Sequence, residues 1–377
     1  MKKLFTILAA VAFVVAFSVP AMAAAEWNFY GSARMSTFWT DTDNPGAVLD
    51  DSGLTTWDLQ GNSRVGANVK AGDIYGRFEY GVTNQTTGAH EAARVRLLYG
   101  TWNFGPGKLL IGKAYTPGFN LISNQVFAGD NDLLFYGAAS GRVRQAQIAL
   151  HMGGLKIALV EPNTPGYAAD PAATWVAGTV ADTDNSIPLI EASYAFAFGP
   201  VKMTVFGGYH SYDQEVNTAT ANLASTSIDS YVYGATAKTT FGPIFLNGSI
   251  NFGQNFAAYG WLHDPAWAPV RLYNATTGLW AENDVDDWGF NLVAGFKVND
   301  MLTFEAGYGY ANSELDTVLK NDDTTVSYYL NATINLAKGC FIVPEIGVVD
   351  DKDITVGGVD ADQGKLTYFG AKWQINF

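Results

Sequence analysis

The side chains with most chemical potential in this chain are its arginines, and they are unevenly placed. Seven of the eight, Arg34, Arg64, Arg77, Arg94, Arg96, Arg142 and Arg144, precede residue 150, whereas nine of the twelve lysines beyond residue 23 follow it. A guanidinium carries a fixed charge and a planar fork of donors, so a cluster of them holds or steers anions and exchanges no protons near neutral pH. Proton-transfer and nucleophilic chemistry has little to build on. His90, His151, His210 and His263 are scattered, no Cys/His set has zinc spacing, and no Gly-x-Ser-x-Gly elbow occurs. Neither an enzyme nor a resident metal or cofactor is expected. Cys340 is the single cysteine, so there is no internal disulfide. A net charge of −14 argues against nucleic acid as a partner.

Arginines need elements to position them, and the two ends of the chain say which. Met1-Lys2-Lys3, the apolar run Leu4 to Val19, Pro20 and Ala21-Met22-Ala23 have the order of a charged n-region, an h-region and a cleavage site. Residues 1–23 are expected to be a signal peptide cut between 23 and 25, leaving one domain, 24–377. No later stretch reaches the ~18 apolar residues of a membrane-spanning helix. A membrane protein without such helices must be a closed barrel, because lipid offers no partner to an unpaired backbone group. At the other end Phe369, Ala371, Trp373, Ile375 and Phe377 alternate with Tyr368, Gly370, Lys372, Gln374 and Asn376. That is the strand pattern of a lipid-facing wall.

The same period of two recurs along the chain. Val326 to Leu336, Ile244 to Phe252 and Trp288 to Val298 each set an apolar face against a polar one. Forty glycines, 14% aromatic and only 15% charged residues suit barrel walls with aromatic girdles, and alternation averages the mean hydropathy to +0.04. Tight turns are expected at Ala71-Gly72, Gly105-Pro106-Gly107, Gly153-Gly154, Gly199-Pro200, Gly242-Pro243, Asn299-Asp300 and Lys338-Gly339. Longer loops are expected near 41–53, 85–90, 116–140, 163–186, 213–227, 257–286, 313–322 and 351–362. Seven turns and eight loops join sixteen strands, with 14 and 18 left open because boundaries move by about ±2 to 4 residues. Pro344 inside one strand predicts a bulge. The fold class is therefore all-β, a transmembrane antiparallel barrel.

A barrel of this size encloses a wide aqueous channel that something must narrow. The candidate is the loop 116–140, whose Phe119, Leu121, Ile122, Val126, Phe127, Leu133, Leu134 and Phe135 are unlike the polar, Asp-rich loops elsewhere. Such a loop packs either inside the lumen, or on the rim or a neighbouring subunit. Alternation places Arg34, Arg64, Arg77, Arg94 and Arg96 opposite Met35, Val65, Phe78, Val95 and Leu97, hence toward water. Facing lipid, an Arg near the midplane would cost ~2–4 kcal/mol. A basic wall across from Asp130 and Asp132 would set a transverse field; the other reading is arginines solvated in a wide lumen. Arg142 and Arg144 stand where the loop rejoins the wall, so alternation assigns them no face. Lys113 shares a face with Leu109 and Ile111 and reaches the lumen only if Gly112 bulges. Acidic clusters in the outer loops, including Asp50, Asp51, Asp264, Asp286, Asp287, Asp322 and Asp323, either hold divalent cations or are simply solvated.

Several segments resemble the general bacterial, Gram-negative outer-membrane porin family. Asn62-Ser63-Arg64-Val65-Gly66, Arg94 to Gly100 and Asn103 to Lys113 look like that family's second, fourth and fifth strands in order, and Phe127-Ala128-Gly129-Asp130 is similar to a stretch of its constriction loop. The last strand resembles those whose terminal aromatic is read by the outer-membrane insertion machinery, here Trp373, Ile375 and Phe377. The resemblance is sharp over roughly residues 26–160 and the last strand. It implies a sixteen-stranded homotrimer in the outer membrane, among lipid and lipopolysaccharide, whose third external loop folds inward to narrow each pore. Phe127, Gly129, Asp130 and Asp132 would then form the loop side of the constriction, and the arginines with Lys113 the basic wall. The expected function is a water-filled channel for passive diffusion of small hydrophilic solutes and ions. The alternatives are a porin selective for an anionic nutrient and a structural or adhesive barrel with a closed pore.

Overall fold

The computed structural model describes residues 25–43, 54–82, 93–165, 180–185, 187–217, 223–265, 267–274, 279–316, 321–356 and 359–377. The expected signal peptide, the loop 85–90, Asp50 and Asp51 lie outside the described residues, as do parts of the other outer loops.

In chain order the strands are β1 (Glu26–Asp43), β2 (Leu54–Leu59), β3 (Arg64–Ala71), β4 (Ile74–Val82), β5 (Ala93–Asn103), β6 (Lys108–Tyr115), β7 (Arg144–Met152) and β8 (Leu155–Val160). There follow β9 (Val180–Asp184), β10 (Leu189–Phe198), β11 (Val201–Asn217), β12 (Leu223–Phe241), β13 (Ile244–Gln254), β14 (Val270–Asn274) and β15 (Leu279–Asn283). The last seven are β16 (Val285–Lys297), β17 (Leu302–Leu315), β18 (Asn321–Ala337), β19 (Cys340–Asp351), β20 (Ile354–Val356), β21 (Val359–Ala361) and β22 (Lys365–Asn376). Each barrel strand pairs antiparallel with the next, and β1 pairs with β22 from Ser32↔Asn376 to Asp43↔Lys365, which closes the sheet on itself. β2 and β3 both pair with β1 and act as one interrupted barrel strand, as β9 and β10 do against β11. The hairpins β14–β15 and β20–β21 are loop elements, so the barrel has sixteen strands.

All seven short connections fall where turn residues stand. Gly199 and Gly242 each take φ of +57°, a conformation that a side chain resists and glycine does not. The described residues of outer loops 213–227 and 313–322 are, by contrast, almost all strand: β11 pairs with β12 out to Asn217↔Leu223, and β17 with β18 out to Leu315↔Asn321. Beyond the lipid both faces meet water, so backbone pairing continues while the apolar alternation that marks a strand in sequence is gone. The expected bulge at Pro344 is also absent. Pro344 pairs with Ala371 in unbroken register, the ladder to β18 resumes in phase beyond it, and the irregularity falls instead between Asn335 and Ala337.

The barrel inverts the usual distribution of burial. On β16 the outward Phe290, Leu292, Ala294 and Phe296 alternate with buried Gly289, Asn291, Val293 and Gly295, and Leu292 is 60% exposed. Phe29, Trp102, Phe198, Phe241 and Phe377 lie exposed toward the short-turn end. An exposed apolar band of this extent is stable only against lipid. Ser249, Asn251, Asn291, Glu305, Asn331 and Glu345 are buried inside it.

Candidate functional site

Five neighbouring barrel strands, β22, β1, β3, β4 and β5, turn a charged face inward. Cross-strand pairs Ser36↔Lys372, Arg34↔Gln374, Ser32↔Arg64 and Gly81↔Arg94 keep these residues on one side of the sheet. A register shift then alters β5: Glu79 pairs with Leu97 and Tyr80 with Val95, so Arg96 is an extra residue. This bulge turns both Arg96 and Leu97 inward, at 3% and 2% exposure, where simple alternation had set Leu97 on the outer face opposite Arg96.

The structure brings Arg34, Arg64, Arg94, Arg96 and Arg144 together around one cavity of about 680 Å³, with Lys372 beside them and Asp130 and Asp132 on the loop side. Three predicted members lie elsewhere. Arg77 lies on the same face of β4 as Glu79, nearer the short turn and outside the cavity lining, with its guanidinium 5.3 Å from the Tyr30 ring centre. Arg142 is buried and donates to the Glu161 carbonyl, near Glu191 and Tyr259. Lys113 pairs with Leu98 and Ala146 in unbroken register across Gly112, on the outer face with exposed Ile111 and Ile148, so the bulge that would have turned it inward does not form.

Glu79, which the sequence reading passed over, is the centre of the wall. Its fully buried carboxylate accepts from Arg96 Nε at 2.7 Å, Arg77 Nη2 at 3.1 Å, Arg64 Nη1 at 3.4 Å and the Tyr30 hydroxyl at 2.9 Å. The only hint in sequence is an acid two residues after Arg77, on the same strand face. Lys372, a second omission, sits 2.9 Å from Asp130 Oδ1, while Arg34 donates to Asp130 Oδ2 at 2.5 Å. Asn62 donates to the Gly129 carbonyl at 2.6 Å. Burial and the adjacent Asp130 push the Asp132 carboxyl well up. Arg94 donates to the Gly61 carbonyl at 3.1 Å and Arg144 to the Tyr115 hydroxyl at 3.1 Å.

The segment 116–140 is tied to inner-face side chains around the barrel. Its backbone N–H groups at Gly118, Asn124, Val126 and Phe127 donate to the wall carboxylates Glu191, Glu305 and Glu345, at 2.6 to 3.0 Å. Asn247 donates to the Ile122 carbonyl, and Ser249 and Asn251 to that of Gly137, each at 2.9 Å. Phe127 stacks on Tyr368 with ring centres 3.9 Å apart, and Leu133 and Tyr136 pack with Val293 and Tyr329. Ala128, Asp130, Asp132 and Leu133 all take positive φ, a strained path held by these contacts.

A second segment joins it. After β13, residues 255–265 form a helical turn at Phe256–Tyr259 and then an irregular run. Phe256, Tyr259 and Trp261 are buried in the largest apolar cluster, with Leu110, Val160, Leu189, Phe206 and Val232 from β6, β8, β10, β11 and β12. Leu262 reaches the charged cavity, and its carbonyl accepts from Ser140 Oγ at 3.1 Å, while Asp264 N donates to the Phe135 carbonyl at 2.9 Å. Buried Asp287 accepts the Phe256 N–H at 2.7 Å and the Ser313 hydroxyl. Burial, and then Asp351 and Asp323, raise the Asp264 carboxyl to about 6. The sequence reading placed most of this stretch in a polar outer loop. Its run of Phe256, Tyr259, Trp261 and Leu262 is the same signal that singled out 116–140. Among the described residues no three His, Cys, Asp or Glu side chains gather as metal ligands.

A closed sixteen-stranded barrel with a lipid-facing apolar band and a polar, charged interior is an outer-membrane channel. The sequence pattern of the family described as Gram-negative porin matches residues 9–353, and the chain belongs to that family. It therefore lies in the bacterial outer membrane, and its role is transport through a channel and not catalysis. The fold is similar to the outer membrane channel DcaP of Acinetobacter baumannii, at TM-score 0.64 and 14% identity over 94% of this chain and 97% of that one. The anion-selective porin from Comamonas acidovorans gives 0.54 and 14% over 94% and 100%. OmpF of Salmonella typhi gives 0.55 and 12% over 93% and 97%. A sequence search of curated proteins gives no match.

Proposed function

We infer that this porin passes small hydrophilic solutes by diffusion through a constriction between the basic wall and the segment 116–140, its third external loop, folded inward. The observation that carries this is the spread of the loop's partners: Glu191, Glu305 and Glu345 hold its backbone from three separate strands, and Arg34 and Lys372 hold Asp130 from two more, β1 and β22. The segment 255–265 narrows the lumen further from the side of Phe206 and Val232. Arg34, Arg64, Arg94, Arg96, Arg144 and Lys372 outnumber Asp130, Asp132 and Glu79 at this level, so the constriction favours anions although the whole chain is acidic. Glu79 and Lys372 belong to it; Arg142 and Lys113 do not.

Reversal potential in a salt gradient across a planar bilayer is the test. An anion-ward potential with ohmic, non-saturating current is expected. A cation-ward potential would overturn the basic constriction, and silence from well-folded protein would favour a closed, structural barrel. Removal of residues 1–23, assembly as a homotrimer among lipid and lipopolysaccharide, and reading of Trp373, Ile375 and Phe377 by the insertion machinery complete the proposal. Trp373 and Ile375 on the outer face of β22, and Phe377 just beyond it, lie exposed.

A further inference from the structure

The basic wall is not uniform. Arg34 and Lys372 are engaged by Asp130, and Arg64 and Arg96 by Glu79. Arg94 and Arg144 also line the cavity, yet among the described residues neither has a carboxylate partner; each meets only a neutral oxygen, of Gly61 and of Tyr115. Both stand at the outer ends of their strands, beside the external loops, so a solute entering from outside meets them first. Two guanidiniums and buried Arg96 near one another repel, and an anion between them relieves that repulsion. The planar fork of a guanidinium matches the two oxygens of a carboxylate.

Beside these two arginines, within an otherwise largely polar lining, lies an apolar patch. Tyr115 lies under the Arg144 guanidinium at 5.3 Å and stacks on Phe119 with ring centres 4.5 Å apart. Leu121 and Phe135, of the same cavity, are 40% and 39% exposed. Exposed aromatic and aliphatic side chains inside a water-filled lumen have no lipid to cover them, and an apolar part of a passing solute would.

We propose that Arg94 and Arg144, with Tyr115 and Phe119, form a subsite on the outer side of the constriction that binds small carboxylates bearing an apolar ring. This rests on the reading of the cavity as the pore. The subsite makes the channel selective in rate: such solutes are concentrated at the mouth and pass faster than their bulk level predicts, while other ions diffuse freely.

The test adds benzoate, acetate, inorganic phosphate and benzyl alcohol in turn to the outer side of single channels in potassium chloride. Benzoate interrupts the chloride current saturably, acetate requires at least tenfold higher concentration, and phosphate and benzyl alcohol are weaker still. Arg94→Gln with Arg144→Gln raises the benzoate half-block at least tenfold and lessens the anion-ward reversal potential without inverting it. Phe119→Ala raises the benzoate value and leaves acetate where it was. An anion-ward potential with no benzoate block, with acetate equal to benzoate, or with phosphate as the stronger blocker overturns the subsite and leaves the constriction standing. A cation-ward potential in the unmodified channel overturns both.

Discussion

Replacing Glu79 by Gln removes one negative charge from the centre of the basic wall while keeping the side chain's size. The carboxylate is wholly buried and touches Arg64, Arg77, Arg96 and Tyr30, so its charge offsets part of theirs at the pore. A unit charge ~8 Å from a permeating ion in a water-like medium acts with about 0.5 kcal/mol. Screening over a Debye length of ~10 Å at 0.1 M salt leaves about 0.2 kcal/mol. Acting with opposite sign on anion and cation, this raises the anion-to-cation permeability ratio about twofold at 0.1 M and about fivefold at low salt. The assay is the reversal potential at two salt concentrations. Breaking a buried ion pair costs about 3–5 kcal/mol, so the variant's barrel is first checked by its heat-dependent gel mobility. The double variant Glu79→Gln, Arg96→Gln restores the charge balance and should return the ratio toward the unmodified value. A folded Glu79→Gln barrel whose ratio is unchanged or lower at low salt would refute the reasoning.

Three further outcomes are expected. Trp261→Ala deletes a ring that is 3% exposed and stacks on Phe206 at 5.6 Å; losing about 3–5 kcal/mol of packing frees the segment 255–265 and enlarges single-channel conductance, and an unchanged conductance would mean that the segment does not limit the pore. Gly137→Val places a side chain against the backbone of Phe290 and the carbonyl of Tyr310 at a φ of +76°, so segment 116–140 cannot seat and the current becomes noisy; steady currents would count against its placement. Asp264, raised to about 6 by burial and by Asp351 and Asp323, favours its protonated form in the folded protein. Its contribution is full below about pH 4 and is lost as pH rises through about 6. Amide exchange at Trp261 to Asp264, corrected for intrinsic rates, should therefore be faster at about pH 7.5 than at about pH 5, a difference absent in Asp264→Asn.

Much of the barrel was legible because its causes are local. Lipid on one side and water on the other impose a period of two, and a tight turn needs residues such as Gly199 and Gly242. What failed was local in the same sense. Outside the bilayer β11, β12, β17 and β18 keep pairing with no alternation to announce it, and one extra residue at Arg96 reverses the faces that a strict count assigns to Leu97.

Sequence by itself thus determined a β-barrel, its turns, a basic first third and one apolar loop, because each is written in neighbouring residues. Tertiary structure alone decided which charges meet. Glu79 and Lys372 enter the site from β4 and β22, which share one stretch of wall only because β1 pairs with β3 on one edge and β22 on the other. The same closure brings residues 255–265 against a wall strand more than a hundred residues earlier in the chain. Such meetings depend on strand order and closure, and no periodicity within a strand encodes them.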